Sequence, residues 1–247
     1  MRTLPSRPDL PKAVAEKLVA KTEQIAKASD PKADADRVFS SSRGAKWFRP
    51  VVESLGKMAG PGERCMWCSG SESSDVEHYR PKAEYPLSAM TWENMLWSCG
   101  ICNRHKGDRF PADPHRLLDP TCENVWSFLF IDEFGNLIAR FRIDLNALDP
   151  RADATLKTMK LDRQALQESR LRRRRELVRH VEDSLARYDV GQVTVEQLRD
   201  RVREWREAPF QPDVADYHLN GPGRTETPFS RLFDVIERAT KHPSPPT

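Results

Sequence analysis

The sequence has no apolar run approaching the roughly 20 residues that cross a bilayer. Its opening residues, Met1-Arg2-Thr3-Leu4-Pro5, lack the apolar stretch of a secretory signal. Both absences point to a cytoplasmic protein with no membrane partner. No internal repeat is visible. Apolar residues are scarce, at 38% of the chain against 31% charged, so much of the length is expected in amphipathic helices around small cores. A formal net charge of +3 is too small by itself to announce a nucleic-acid binder. Cysteine is sparse as well: five among 247 residues, four of them in two Cys-x-x-Cys pairs, with Cys122 alone. In a compartment that keeps thiols reduced, this grouping favours a metal over a disulfide framework.

Length allows one or two domains and does not choose between them. The distribution of charge says more than its sum. Residues 1–60 carry 12 Lys or Arg against 7 Asp or Glu, whereas residues 61–110 carry 6 against 7 and residues 111–160 carry 6 against 8. Basic charge is supplied from the flanks, where it suits either a phosphate backbone or ordinary solvated helix faces.

Along the chain, Asp9-Leu10-Pro11 opens a helix with Val14, Leu18 and Ile25 on one face. A loop is expected from about Lys27 to Asp36. A second helix starts near Lys46 with Trp47, Val51 and Leu55, Pro50 being tolerated in its first turn. Gly60-Pro61-Gly62 breaks it. Further on, Trp126, Phe128 and Phe130 alternate, a turn runs through Asp132 to Asn136, and Leu137, Ala139, Phe141 and Ile143 alternate again, which signals a hairpin. Helix resumes from about Leu161 with Asp162 as cap, and Leu171, Val178, Val181, Leu185 and Tyr188 near a helical period. Thr194 and Gln197 fit a capping box ahead of Leu198, Val202 and Trp205, and Thr227-Pro228 opens a last helix with Phe229, Leu232, Phe233 and Ile236. The Pro-rich tail from His242 is expected to be disordered.

The stretch from Cys65 to Pro111 organises the rest. Cys65, Cys68, Cys99 and Cys102 can point four thiolates at a closed tetrahedral zinc, with a redox dithiol or buried free thiols as the alternatives. Between the pairs lies Asp75-Val76-Glu77-His78. A neutral imidazole can take a proton from water near neutral pH, and a carboxylate is a hard ligand for Mg²⁺, though a lone His is more often an ordinary hydrogen-bonded residue. Asn103 is assigned a ligand role and Asn94 a loop-pinning role, the bland reading of both being a turn or cap. Arg80, Lys82 and Lys106 lie beside the motif as candidate phosphate contacts. In a helix, Arg172 through Arg175 spread around the circumference, and Glu168 and Glu176 offer them partners, so the run reads first as a solvated or partner-facing face.

Glu77-His78, Asn94 and Asn103, in that order and framed by the two cysteine pairs, resemble the HNH nuclease family with its ββα-metal fold. Glu77-His78-Tyr79-Arg80-Pro81-Lys82, Trp92-x-Asn94 and Cys99-x-x-Cys102-Asn103-x-x-Lys106-Gly107 are similar to the bacterial subfamily that includes the HNH component of Septu-type and retron-associated antiphage systems. The resemblance spans roughly residues 45–180. It implies His78 as general base, a single Mg²⁺ or Mn²⁺ on Glu77 and Asn103, Asp75 as a further metal or orienting candidate, structural Zn²⁺, DNA as substrate, and an ATPase partner encoded nearby. The expected fold class is α+β: mainly α-helical, with a zinc-stabilised ββα-metal HNH core and an additional β-hairpin. The expected division is an N-terminal helical region at 1–60, the zinc-bearing nuclease core at 61–115, and a β-hairpin with a C-terminal helical region at 116–247. The expected activity is metal-dependent DNA hydrolysis in antiviral defence. The alternative is a zinc-structured nucleic-acid- or protein-binding module without turnover.

Overall fold

The computed structural model describes residues 1–70, 72, 75–208 and 211–241. The tail at 242–247, expected to be disordered, lies outside the described residues. The protein is mainly helical, with three small antiparallel strand pairs among the described residues.

Helix α1 (Lys12–Ala26) follows Pro11 and buries Val14, Leu18 and Ile25. Helix α2 (Pro31–Arg43) replaces the loop expected up to Asp36. The Asp30 carboxylate caps it by accepting from the Ala33 N–H, and Pro31 supplies a preformed first turn. Its apolar face is short, Ala35, Val38 and Phe39, which is why composition alone suggested a loop. A single 3₁₀ turn at Lys46–Phe48 leads into α3 (Arg49–Ala59), where Pro50 sits in the first turn. Gly60 ends α3 with φ +76°, a backbone region that side chains disfavour.

Strand β1 (Asp75–His78) pairs antiparallel with β2 (Met95–Ser98), Asp75 opposite Ser98 and His78 opposite Met95. Helix α4 (Gly100–Lys106) follows at once. Next come β3 (Leu129–Ile131) and β4 (Leu137–Ala139), whose turn is tied by Asp132 accepting from the Phe134 and Asn136 N–H groups. Trp126 and Phe128 are not in the strand: the Asn124 side chain accepts from the Trp126 N–H and winds that segment into a 3₁₀ turn. The second alternating run is also split. Phe141 begins a separate pair, β5 (Phe141–Arg142) with β6 (Ala147–Leu148), whose turn leaves Ile143 90% exposed.

Helix α5 (Pro150–Met159) was not expected. Asp149 accepts from the Arg151 and Ala152 N–H groups and Pro150 starts the first turn. Helix α6 (Gln164–Asp189) begins after Arg163 without a side-chain cap, so Asp162 is not its cap. Helix α7 (Val195–Glu207) carries the expected reciprocal box of Thr194 and Gln197. Helix α8 (Pro212–Leu219), also unexpected, precedes α9 (Phe229–Lys241).

Two cores hold these elements. The larger joins α1–α3 to β1, β2 and the cysteines, and continues through β3, β4 and α5. The smaller lies among α6, α7, α8 and α9. Among the described residues no helix is long and apolar enough to cross a membrane.

Candidate functional site

The sulfurs of Cys65, Cys68, Cys99 and Cys102 lie within 4.8 Å of one another and all four residues are buried. Tetrahedral zinc at about 2.3 Å from each sulfur sets neighbouring sulfurs about 3.8 Å apart. The Cys68 and Cys99 sulfurs are 4.0 Å apart, so the cluster could hold such an ion with little adjustment. Contacts among the four sulfurs lower Cys99 to about 6 and Cys68 well below its usual value, while burial raises Cys65 and the same contacts raise Cys102. The Met66 N–H bonds Trp97 O at 2.9 Å, which docks the first knuckle on β2, and Cys99 Sγ accepts from the Cys102 N–H at the start of α4. One partner was not read from the sequence: Arg163 approaches Cys102 Sγ at 3.9 Å from the start of α6, a cation that favours the thiolate. Cys122 is exposed and stands apart from the four.

The end of β1 and the start of α4 meet at a second site. Glu77, His78, Lys82, Asn103 and Asp108 line one cleft of about 180 Å³, together with Phe39 and Arg43 from α2. His78 Nε2 lies 2.8 Å from Ala89 O. A carbonyl only accepts, so Nε2 carries the proton and Nδ1 is left with a free lone pair. Burial, with the Lys82 ammonium adding to it, lowers the imidazole pKa to about 3, so the ring is neutral at physiological pH. The Glu77 carboxyl is raised by burial, opposed by Lys106, whose Nζ donates to Oε1 at 2.9 Å. Lys106, expected to reach for phosphate, is itself fully buried in this pair.

Asn94 shows how the loop between the strands is held. Its Oδ1 accepts from the Arg80 N–H at 2.8 Å, and its Nδ2 donates to Arg80 O and Ser88 O at 3.0 and 2.9 Å. Those bonds close the segment that carries Ala89 to His78. Asn103, partly buried, makes no side-chain hydrogen bond among the described residues, so its amide is open to a ligand. Its open oxygen and the carboxylate of Glu77 are hard donors of the type that Mg²⁺ or Mn²⁺ takes. Asp75 is not part of this cleft wall, and among the described residues the four cysteines are the only group of three or more Cys, His, Asp or Glu side chains close enough to share a metal.

The three basic candidates separate. Lys82 faces the His78 cleft and pairs with Asp36 at 3.4 Å. Arg80 faces a neighbouring cleft of about 420 Å³ and lies over the Tyr85 ring. In the arginine run, Arg172 and Arg175 are exposed, Arg174 meets Glu226 at 3.4 Å, and Arg173 is buried with Trp205 O and Glu176 as partners. The run therefore forms no single basic stripe. Sequence reasoning also missed Arg7, which bonds Trp92 O, Glu93 O and Met95 O and lies over the Trp92 ring, stapling the turn before β2 from a segment without a recognisable motif.

No family model matches the chain. Comparison with characterised proteins finds 26% identity over 129 residues to the Septu protein PtuB of Bacillus thuringiensis. The chain is similar to a Septu protein. The matched segment is 50% of this chain and 46% of that relative, so the chain spans about half the length of the curated relative it matches.

Proposed function

We propose that the chain is a metal-dependent HNH endonuclease that hydrolyses phosphodiester bonds in DNA, acting as an effector of antiphage defence with an ATPase encoded beside it. The observation that carries the reading is the His78 tautomer. Its proton is committed to Ala89 O, which leaves Nδ1 as the acceptor on a ring that lines the same cleft as Glu77 and Asn103. The succession β1, β2, α4 and the four-cysteine cluster support it, because the resemblance to the HNH family implies that arrangement. The similarity to PtuB supports the defence role, and the ATPase rests on the family resemblance alone.

In this reading His78 Nδ1 takes a proton from water as the water oxygen attacks phosphorus. A new P–O bond forms, the bond to the departing sugar oxygen breaks, and that oxygen takes a proton from solvent. Glu77 and Asn103 would hold a Mg²⁺ or Mn²⁺, which would supply charge stabilisation to the reacting phosphate. Asn94 keeps the loop closed so that Ala89 O holds the ring in place. Lys106 balances Glu77, and Lys82 and Arg80 stand near enough to the motif to meet backbone phosphates.

A second reading, a zinc-structured binding module without turnover, is favoured by one observation: His78 is only 5% exposed. Plasmid cleavage separates the two. We expect cutting with Mg²⁺ or Mn²⁺ and none without added divalent ion, and we expect Glu77→Gln and Asn103→Ala each to raise the metal concentration required. Cleavage that ignores both substitutions would refute the ligand assignment.

A further inference from the structure

The outer face of α4 carries a cluster of cations that the cleft does not use. Arg104, His105 and Arg109 come from α4 and the turn after it, and Lys160 and Arg163 from the junction between α5 and α6. Gly107, at φ +50°, turns the chain so that Arg109 folds back on α4: its N–H bonds Lys106 O at 3.0 Å and its guanidinium donates to His105 O at 2.7 Å. Arg163 fastens the second segment to the same place. Its guanidinium donates to Met159 O and Lys160 O at 3.0 and 2.9 Å and reaches Cys102 Sγ in α4 at 3.9 Å. Elsewhere on the surface, cations take a carboxylate one turn away on their own helix, as Arg49 does with Glu53 and Arg187 with Asp183. Here Arg104, Arg109 and Lys160 are exposed, and among the described residues none of the four Arg and Lys side chains forms an ion pair, not even with the adjoining Asp108 and Asp162. Asp108 lines the His78 cleft instead. The His105 imidazole feels the cluster: burial lowers its pKa, and Arg163, Lys160, Arg109 and Arg104 lower it further.

We propose that this face of α4, with the α5–α6 junction, binds the sugar–phosphate backbone of a DNA strand where the strand leaves the His78 cleft. The path of the strand rests on the reading of that cleft as a nuclease site, whereas the affinity for a polyanion rests on the cluster itself. Cleft and cluster share one short helix and its turn: Asn103, Gly107 and Asp108 line the cleft, and Arg104, His105 and Arg109 alternate with them along the chain. A helix of this length rises about 10 Å, and each strand of a duplex sets a phosphate every ~3.4 Å along the axis. A strand seated on the cleft therefore has about three further phosphates alongside α4. Arginine meets a phosphate through paired N–H bonds and lysine meets it as a point charge, and neither contact reads a base. The cluster also supplies what the motif lacks. Residues 61–110 carry 6 Lys or Arg against 7 Asp or Glu, and Lys160 and Arg163 bring positive charge to it from outside that segment. An acidic protein surface would match the charge as well, but sharing a helix with the cleft favours the strand.

The test measures binding of a short DNA duplex to the full chain by fluorescence anisotropy, over a series of salt concentrations and without added divalent ion so that nothing is cut. Arg104→Gln/Lys160→Gln removes two exposed cations whose side chains make no hydrogen bond among the described residues. Each phosphate contact contributes about 0.9 to the slope of log K against log salt, so the slope should become shallower by about 2 and the affinity near 0.1 M salt should fall about tenfold or more. Arg104→Lys/Lys160→Arg keeps the charge and should restore the wild-type slope. Arg172→Gln/Arg175→Gln takes the same charge from exposed arginines of α6 and should change the slope by less than about 0.5. Zinc content and urea midpoints on the same samples establish that the variants are folded. An unchanged slope in Arg104→Gln/Lys160→Gln would overturn the proposal and leave the cluster to an acidic protein surface. An equal loss in the α6 variant would overturn it too, because affinity would then follow net charge rather than this face. A shallower slope in a protein that never cuts plasmid with Mg²⁺ would sustain the binding face and sink the nuclease reading, whereas a cutting enzyme whose affinity ignores the substitutions would do the reverse.

Discussion

Lys106 and Glu77 show how much a residue's role depends on its surroundings. The lysine reads in sequence as a phosphate contact at the end of a zinc knuckle, yet the packing of α4 on β1 buries it against the carboxylate. That pairing was not legible, because it depends on two segments 29 residues apart coming together. Removing one member of a buried pair leaves the other charge uncompensated. Lys106→Met should therefore cost about 3–5 kcal/mol in urea unfolding at neutral pH, and adding Glu77→Gln should restore part of it. His78 and His218 make a separate prediction. Both are buried and have pKa values lowered from 6.5 to about 3, so they are held neutral in the folded state. The unfolded chain binds their protons first. Their contribution, on the order of a few kcal/mol each, is present above pH 6.5 and lost as pH falls towards 3. Urea midpoints measured across that window should fall with acid, and less steeply in His218→Gln.

Among the elements, those with a long apolar stripe were readable: α1 from Val14, Leu18 and Ile25, α7 from its capping box, and α9 from Phe229, Leu232 and Phe233. Helices α2, α5 and α8 were missed for a shared physical reason. Each begins at a proline, α5 and α8 are short, and α2 and α5 rely on an aspartate cap and packing rather than on apolar periodicity. Alternation misled the reading in the hairpin region, where side-chain caps and tight turns split one apparent pair of strands into two. The β3–β4 turn also has a tertiary constraint. Gly135 has φ +83° and packs so closely on α6 that a Cβ there would sit 2.5 Å from Gln167 O. Gly135→Ala should destabilise the fold by more than about 1 kcal/mol, measurable by thermal or urea unfolding. A loss of only a few tenths would mean that the turn and α6 separate easily.

The molecule as a whole combines a closed sulfur site with a cleft of oxygen and nitrogen donors, and the two meet through α4. The cysteine spacing was enough to anticipate the first. The second was legible as a set of residue types, but its cover by α2 was not, because nothing in the N-terminal segment carries a motif. Metal analysis should find about one zinc per chain, and stripping it should loosen β1, β2 and α4 together; folded protein with unchanged stability and no metal would refute the zinc site. DNA affinity that depends on flanking charge should fall steeply with salt, and a flat response would argue against backbone binding. The most direct measurement is cleavage of supercoiled plasmid with Mg²⁺ or Mn²⁺ by the wild type and by His78→Ala, with zinc content and unfolding determined on the same samples. The account predicts nicking or cutting by the wild type and none by the variant, with zinc and fold retained. Equal cleavage by both proteins would contradict it.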